Sequence, residues 1–222
     1  MSLRFSALLV SILHLTCASA ASDWELKVAD READIRILSR VNERGYQEFK
    51  GVMKIRSTLG AFVALFKDVE HMPGWAYRIS RAEKLAEVSE TETYAYTVNS
   101  LPPPLYDRDA VVHTTISQDR ATLKMIFRNT GVPDYVPKSD RYVRMPVVES
   151  SWTFTPLGAG MVEVVFEGYG DPGGSLSSAL LAWYVRLTLS EAPYHTMLQM
   201  KSVVSRPEYQ AARYSFIREA AP

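Results

Sequence analysis

Three features of this 222-residue chain invite a chemical reading by residue type: its four histidines, its single cysteine and a glycine-rich turn. The histidines stand at 14, 71, 113 and 195, with no pair at the spacing that would put two imidazoles on one helical face for a metal. No Gly-x-Ser-x-Gly elbow offers an activated nucleophile. Asp171-Pro172-Gly173-Gly174 has the look of a phosphate-cradling turn but lacks the Lys and Ser/Thr that complete one. Its glycines are better used to supply unusual backbone angles at a helix start. Glu191 and His195 are one helical turn apart, a spacing that usually marks a solvated face. Tyr96 and Thr114 are the only modest candidates for a catalytic polar pair. The residues thus predict no catalytic group, no metal and no cofactor.

Composition narrows the classes further. Lys plus Arg and Asp plus Glu number 25 each, so no basic field exists to collect nucleic acid. With 47% of residues hydrophobic and 23% charged, the chain can bury a substantial core. Arg4, the apolar run from Phe5 to Leu15 and the small residues Ala18-Ser19-Ala20 read as a secretory signal at 1–20, cleaved to leave a mature chain from Ala21. The run is shorter than the roughly 18–20 residues that span a bilayer. Cys17 raises the alternative of lipidation, but His14-Leu15-Thr16 before it lacks the usual Leu and small residue. Cleavage would leave a domain without a thiol, held by its core alone, which suits a bacterial periplasm.

Residues 21–222 read as one domain, with no repeat or linker between 24 and 217. Strands are expected at 24–29, 34–41 and 49–56, followed by a helix capped by Ser57 or Thr58 and carrying Phe62, Leu65, Phe66 and Val69 at helical spacing. Period-two alternation then predicts strands at 79–88, 93–98, 109–117, 121–128, 143–155 and 161–169. In the strand from 121, Leu123, Met125 and Phe127 would share one face. The segment from Ser175 to Leu189 is apolar nearly all round, with Leu176, Leu180, Trp183 and Leu187 as one stripe and Leu181, Val185, Thr188 and Leu189 on other faces. Such a helix needs apolar neighbours on more than one side. Pro193 is expected to kink or interrupt it, and Pro207 to begin a last helix through Ile217.

Several motifs occur in a recognisable order. Trp24-Glu25-Leu26, Asp34-Ile35-Arg36-Ile37, Glu48-Phe49-Lys50-Gly51 and Asp68-Val69-Glu70 with Pro73 and Trp75 resemble the first half of START lipid-binding domains. Arg108-Asp109-Ala110-Val111, Trp152 with Pro156, and Asp171-Pro172-Gly173-Gly174 before the apolar helix resemble the second half. The resemblance runs from about residue 24 to about 204. It implies an α+β helix-grip fold, a curved antiparallel sheet around a long C-terminal helix, with a tunnel for one lipid or similar apolar molecule and that helix as part of a lid. Many members carry a buried Arg six residues beyond the Arg of the motif at 108; here that place is Thr114, so a charged headgroup anchor is not expected there.

On this reading the cavity wall would comprise Tyr96, Val98, Val112, Thr114, Met125, Phe127, Phe154, Val164 and Phe166 from the sheet, with Leu180, Trp183 and Leu187 from the helix. Alternation alone would sooner make these a packed core, and it is the resemblance that favours a cavity wall. Arg108 and Asp109 point to opposite sides of their strand, so at most one faces the pocket, and a structural ion pair is the expected role for either. His113 is expected to be a surface or structural residue. The segments 175–189, 102–106 and 131–139 are expected to gate the tunnel. The resulting expectation is a periplasmic carrier of a hydrophobic small molecule with transient membrane contact. The competing readings are a cyclase- or hydratase-like helix-grip enzyme and a lipid-responsive sensor or adaptor.

Overall fold

The computed structural model describes residues 24–220, apart from the side chains at 178, 182, 186, 187 and 189. The leader read at 1–20, its cleavage site and Cys17 lie outside the described residues. Ten strands form one curved sheet: β1 (Glu25–Asp30), β2 (Ile35–Val41), β3 (Gln47–Arg56), β4 (Ile79–Ser89), β5 (Glu92–Asn99), β6 (Arg108–Gln118), β7 (Met125–Gly131), β8 (Val143–Arg144), β9 (Val147–Gly158) and β10 (Met161–Asp171). Their spatial order is β1-β2-β3-β10-β9-β7-β6-β5-β4, antiparallel throughout, while β8 pairs with β6 in parallel off this path. Helix α1 (Leu59–Lys67) follows β3. A second helical stretch after β10 comprises α2 (Ser178–Arg186), a π-helical turn at Leu187–Glu191, α3 (Ala192–Val204) and the short α4 (Pro207–Gln210). This is the α+β helix-grip layout expected from the sequence.

Local chemistry accounts for most element boundaries. Thr58 caps α1, its hydroxyl accepting from the Ala61 N–H at 3.1 Å. The expected strand from 121 begins only at Met125, because Asp119 accepts the N–H groups of Ala121 and Thr122 and turns the chain, leaving Leu123 at φ 59° in that turn. Leu123 therefore shares no strand face with Met125 and Phe127. The expected strand 143–155 is broken at Pro146, which has no N–H for a ladder, into β8 and β9. The α-helical pattern gives way to the π-helical turn just before Pro193 without the chain leaving helical conformation, and Pro193 stands in the first turn of α3. The helix expected through Ile217 ends at Gln210; beyond it the tail stays docked, with Glu219 accepting the N–H groups of Leu59 and Gly60 at 2.9 and 2.7 Å.

The solid core lies between one end of the sheet and the helices α1 and α3. Phe62, Leu65, Met197, Met200 and Val204 are fully buried there against Ile35, Ile37, Met53, Phe154 and Val164. Gly51 in β3 permits this approach, since a Cβ at that position would collide with Met197 Sδ.

Candidate functional site

The inward face of the sheet changes character along its strands, and the register places like residues in rows. Nearest α1, Ile116, Phe127, Trp152 and Phe166 are paired across β6, β7, β9 and β10. Trp152 stacks on Phe166 with ring centroids 3.7 Å apart, and Phe66 of α1 meets Phe127 and Trp152 from the other side. The next row is polar: Thr93, Thr114, Asn129 and Ser150, ending at Gly168. Beyond it the residues are small or apolar, with Ala95, Val112, Gly131, Val148 and Gly170, then Thr97 and Ala110.

Above these rows a cavity of about 560 Å³ lies between the sheet and the facing helices, within the usual range of roughly 300–1,000 Å³ for small-molecule sites. Leu181, Tyr184, Val185 and Thr188 of α2 and the π-helical turn line it from above, with Ala192, Pro193 and Thr196 of α3. Met72, Trp75, Tyr77 and Ile79 close one side. Val112, Thr114 and Ile116 lie in mid-sheet yet remain only half-buried, because they face this hollow.

Of the residues expected to line the cavity, Val112, Thr114, Phe127 and Phe166 do so. Met125, Phe154 and Val164 share the inward face but lie in the solid core, where Phe154 meets Phe62 at 4.3 Å between ring centroids. Tyr96 and Val98 point the other way. The polar residues of β5, Thr93, Thr97 and Asn99, face the hollow instead, together with Ala95. The usual alternation inverts here because the outer face is itself covered: the chain from Val132 to Met145 crosses it, bonding to the backbone of Val111 and Asp109. Val98, Asp109 and Val111 are consequently buried on the side away from the cavity.

The helix stripe is likewise displaced. Leu180 and Trp183 pack, with Tyr184, against Leu101 and Leu105 of the β5–β6 loop in a small cluster separate from the main core. The face carrying Leu181, Val185 and Thr188 takes the cavity. The side chain of Leu187 lies outside the described residues.

Two arginines tie the surrounding loops down. Arg144 meets the Asp109 carboxylate at 3.1 and 2.8 Å, an ion pair almost wholly shielded from solvent. Its remaining N–H groups donate to the carbonyls of Pro133, Val136 and Pro137. The segment 131–139, expected as part of a gate, is therefore anchored from within. Tyr96 completes this hub by donating to Asp109 at 3.0 Å, and its phenol is pushed up to about 12 by burial and then by that carboxylate.

Arg108, pointing to the opposite side, is 2% exposed and has no carboxylate partner among the described residues. It donates to the carbonyls of Tyr106 and Pro172 and lies 5.8 Å from the ring centroid of Tyr184. Burial lowers its pKa, and raises that of Tyr184 to about 12. The β5–β6 loop, the turn at 171–174 and α2 thus meet on one guanidinium.

The turn itself is structural. The Asp171 carboxylate accepts the Gly173 N–H at 2.8 Å, and Gly173 and Gly174 have φ of 65° and 70°. A Cβ on Gly173 would lie 2.8 Å from the Arg144 carbonyl. His113 lies on the outer face, 2.8 Å from Glu92 and stacked on Tyr94. His195 packs against Tyr77, with ring centroids 4.7 Å apart and the planes tilted by 34°. No cluster of His, Cys, Asp and Glu that could hold a metal occurs among the described residues.

Sequence reasoning missed Asn129, Ser150, Trp75 and Tyr184, all of which line the cavity. Asn129 and Ser150 carried one legible signal: each is a polar residue at an inward-facing position of its strand. Trp75 is 2% exposed, and its indole N–H has no hydrogen-bond partner among the described residues.

The geometry has counterparts among known proteins. An uncharacterised protein of Pseudomonas aeruginosa is 26% identical over 205 residues, covering 92% of this chain and 98% of that one. A STAR-related lipid transfer protein from Xanthomonas axonopodis has a solved structure that superimposes with a TM-score of 0.73 at 28% identity, covering 83% of this chain and 99% of that one. Human StAR-related lipid transfer protein 5 shares the fold, with a TM-score of 0.64 at 15% identity over 83% of this chain and 89% of that one. The START domain family profile matches residues 9–205, most of the sequence, and the chain belongs to the START domain family.

Proposed function

We propose that this chain binds one hydrophobic molecule in its internal cavity and acts as an exported lipid carrier, without catalysing a reaction on its ligand. The observation that carries this reading is the cavity itself, about 560 Å³ between an aromatic-floored sheet and α2. Burying an acyl chain there would supply about 0.8 kcal/mol per CH₂, before the cost of ordering the ligand and the elements that close over it. The name of the Xanthomonas protein, a lipid transfer protein, supports the same reading. The apolar leader before Ala21 supports export to a periplasm, with transient membrane contact where a lipid is collected or delivered.

Exchange requires an opening, and the small cluster of Leu101, Leu105 and Tyr184 is the natural place for it, because it is separate from the main core. The gate is therefore α2 with the β5–β6 loop, hinged at the π-helical turn and latched by Arg108. A catalytic reading has less support. Its candidate pair, Tyr96 and Thr114, sits on opposite faces of the sheet, with Tyr96 committed to Asp109 and Thr114 to Asn129.

The test is native mass spectrometry of protein purified from the periplasm of its own host, followed by extraction of the bound material and a vesicle-to-vesicle transfer assay. A stoichiometric co-purifying lipid that the protein moves between vesicles is expected. An empty protein that neither binds nor transfers lipid, or one that converts the bound molecule, would overturn the reading.

A further inference from the structure

The polar row of the cavity makes no hydrogen bond to a charged side chain among the described residues. Three lining residues are acids or bases, and each is committed elsewhere. Lys67 is 2.7 Å from Glu87, and Asp171 accepts the Gly173 N–H. Glu149 turns its carboxylate to the outer face, where Thr130 donates to it. Arg108 stands behind Tyr184 and Pro172, six residues along β6 from Thr114 and so about 20 Å away at strand rise.

What does face the hollow is a chain of neutral polar groups. Thr114 Oγ1 donates to Asn129 Oδ1 at 2.8 Å, and Asn129 Nδ2 donates to Ser150 Oγ at 3.1 Å. These bonds consume only part of the capacity of the three side chains. The second amide hydrogen of Asn129, the hydroxyl hydrogen of Ser150 and lone pairs on Thr114 remain for a guest. The chain adjoins the aromatic row and stands two rows of small or apolar residues away from Arg108.

We infer, on the basis of the lipid-binding reading above, that the ligand is an uncharged amphiphile bearing a hydroxyl, ketone, ester or amide. It enters with that group foremost, seats it on Thr114, Asn129 and Ser150, and leaves its apolar body under α2. A carboxylate, phosphate or ammonium in the same place would lose its hydration with no counter-charge to replace it, whereas a neutral group exchanges water for the three side chains.

The experiment uses matched sixteen-carbon probes, hexadecanol, hexadecanoate and hexadecylammonium, titrated into delipidated protein at about pH 8, where both charged probes remain ionised in water. Hexadecanol is expected to bind at least about tenfold more tightly than either ion. Equal or tighter binding of an ion would overturn the inference and leave lipid binding intact. If no probe binds and no lipid co-purifies, the proposed function itself fails and the inference with it.

Asn129→Asp places a charge in the chain at unchanged size and is expected to shift preference toward hexadecylammonium; a folded variant with unchanged preference overturns the assignment. Thr114→Val gives an independent reading that does not depend on Asn129→Asp folding. It should weaken hexadecanol while leaving hexadecane unaffected, and equal loss of both would count against a polar seat.

Discussion

At the scale of single residues, the buried groups with the most to lose are Asp109 and Arg144. Removing one partner of a shielded ion pair strands the other in a medium that cannot solvate it, so Asp109→Asn is expected to cost about 3–5 kcal/mol of unfolding free energy in urea titration. Replacing Arg144 should loosen the segment 131–139 as well, visible as faster amide exchange there, because three of its carbonyls lose their donor. Tyrosines give the molecule a definite response to alkali. Tyr96, Tyr184 and Tyr209 are each raised to about 12, chiefly by burial; Asp109 and Asp68 add to the effect at Tyr96 and Tyr209. Between about pH 10 and 12 the unfolded chain has lost these protons while the folded chain keeps them, so stability present below about pH 10 falls as pH rises through that window. Denaturant titrations across it should show that loss, and Tyr209→Phe, which removes the phenol bonded to Asp68 at 2.7 Å, should make it shallower.

At the scale of elements, α1 and α2 behave oppositely. Helix α1 is embedded, with its first turn satisfied by Thr58 and by Glu219 from the far end of the chain. Thr58→Ala is expected to cost about 1 kcal/mol, read from denaturation, without altering ligand exchange. Helix α2 rests on a cavity and a small cluster. Leu105→Asp should undock it from the β5–β6 loop, speeding release of a bound lipid while leaving the main core and its unfolding midpoint in denaturant nearly unchanged. A release rate equal to that of the parent protein would show that the gate lies elsewhere. Much of this layer was legible beforehand: a cap at Ser57 or Thr58, the strand alternation and the apolar segment after Gly174 all follow from spacing, and the structure chose Thr58. What could not be read was which face of α2 meets the hollow, since a helix apolar nearly all round carries no periodicity to decide it, and the decision falls to Leu101 and Leu105.

For the whole molecule, the cavity is a reserve of unrealised packing. Val112→Phe should fill part of it, abolishing lipid binding with a stability change within about 1.5 kcal/mol, since the new ring enters empty space instead of a packed core. Loss of the folded state would argue that the space is smaller than the structure indicates. A bound ligand should likewise stabilise the native chain by about 2.7 kcal/mol at a hundredfold excess over its dissociation constant, raising the melting temperature of lipid-loaded over delipidated protein.

Local sequence determined the α+β class, the order of strands and helices, the cap of α1 and the structural character of the Asp171–Gly174 turn, because these depend on hydrogen bonds and side-chain periodicities within a few residues. Only the tertiary structure decided where the sheet is packed and where it is hollow. Phe154 and Phe166 lie on the same inward face, yet one meets Phe62 and the other a void. Nor does alternation reveal that the outer face of β5 is covered, which sends Tyr96 and Val98 away from the cavity and turns Thr93, Thr97 and Asn99 toward it. A void is an absence of contact between distant segments, and no run of neighbouring residues encodes it by itself.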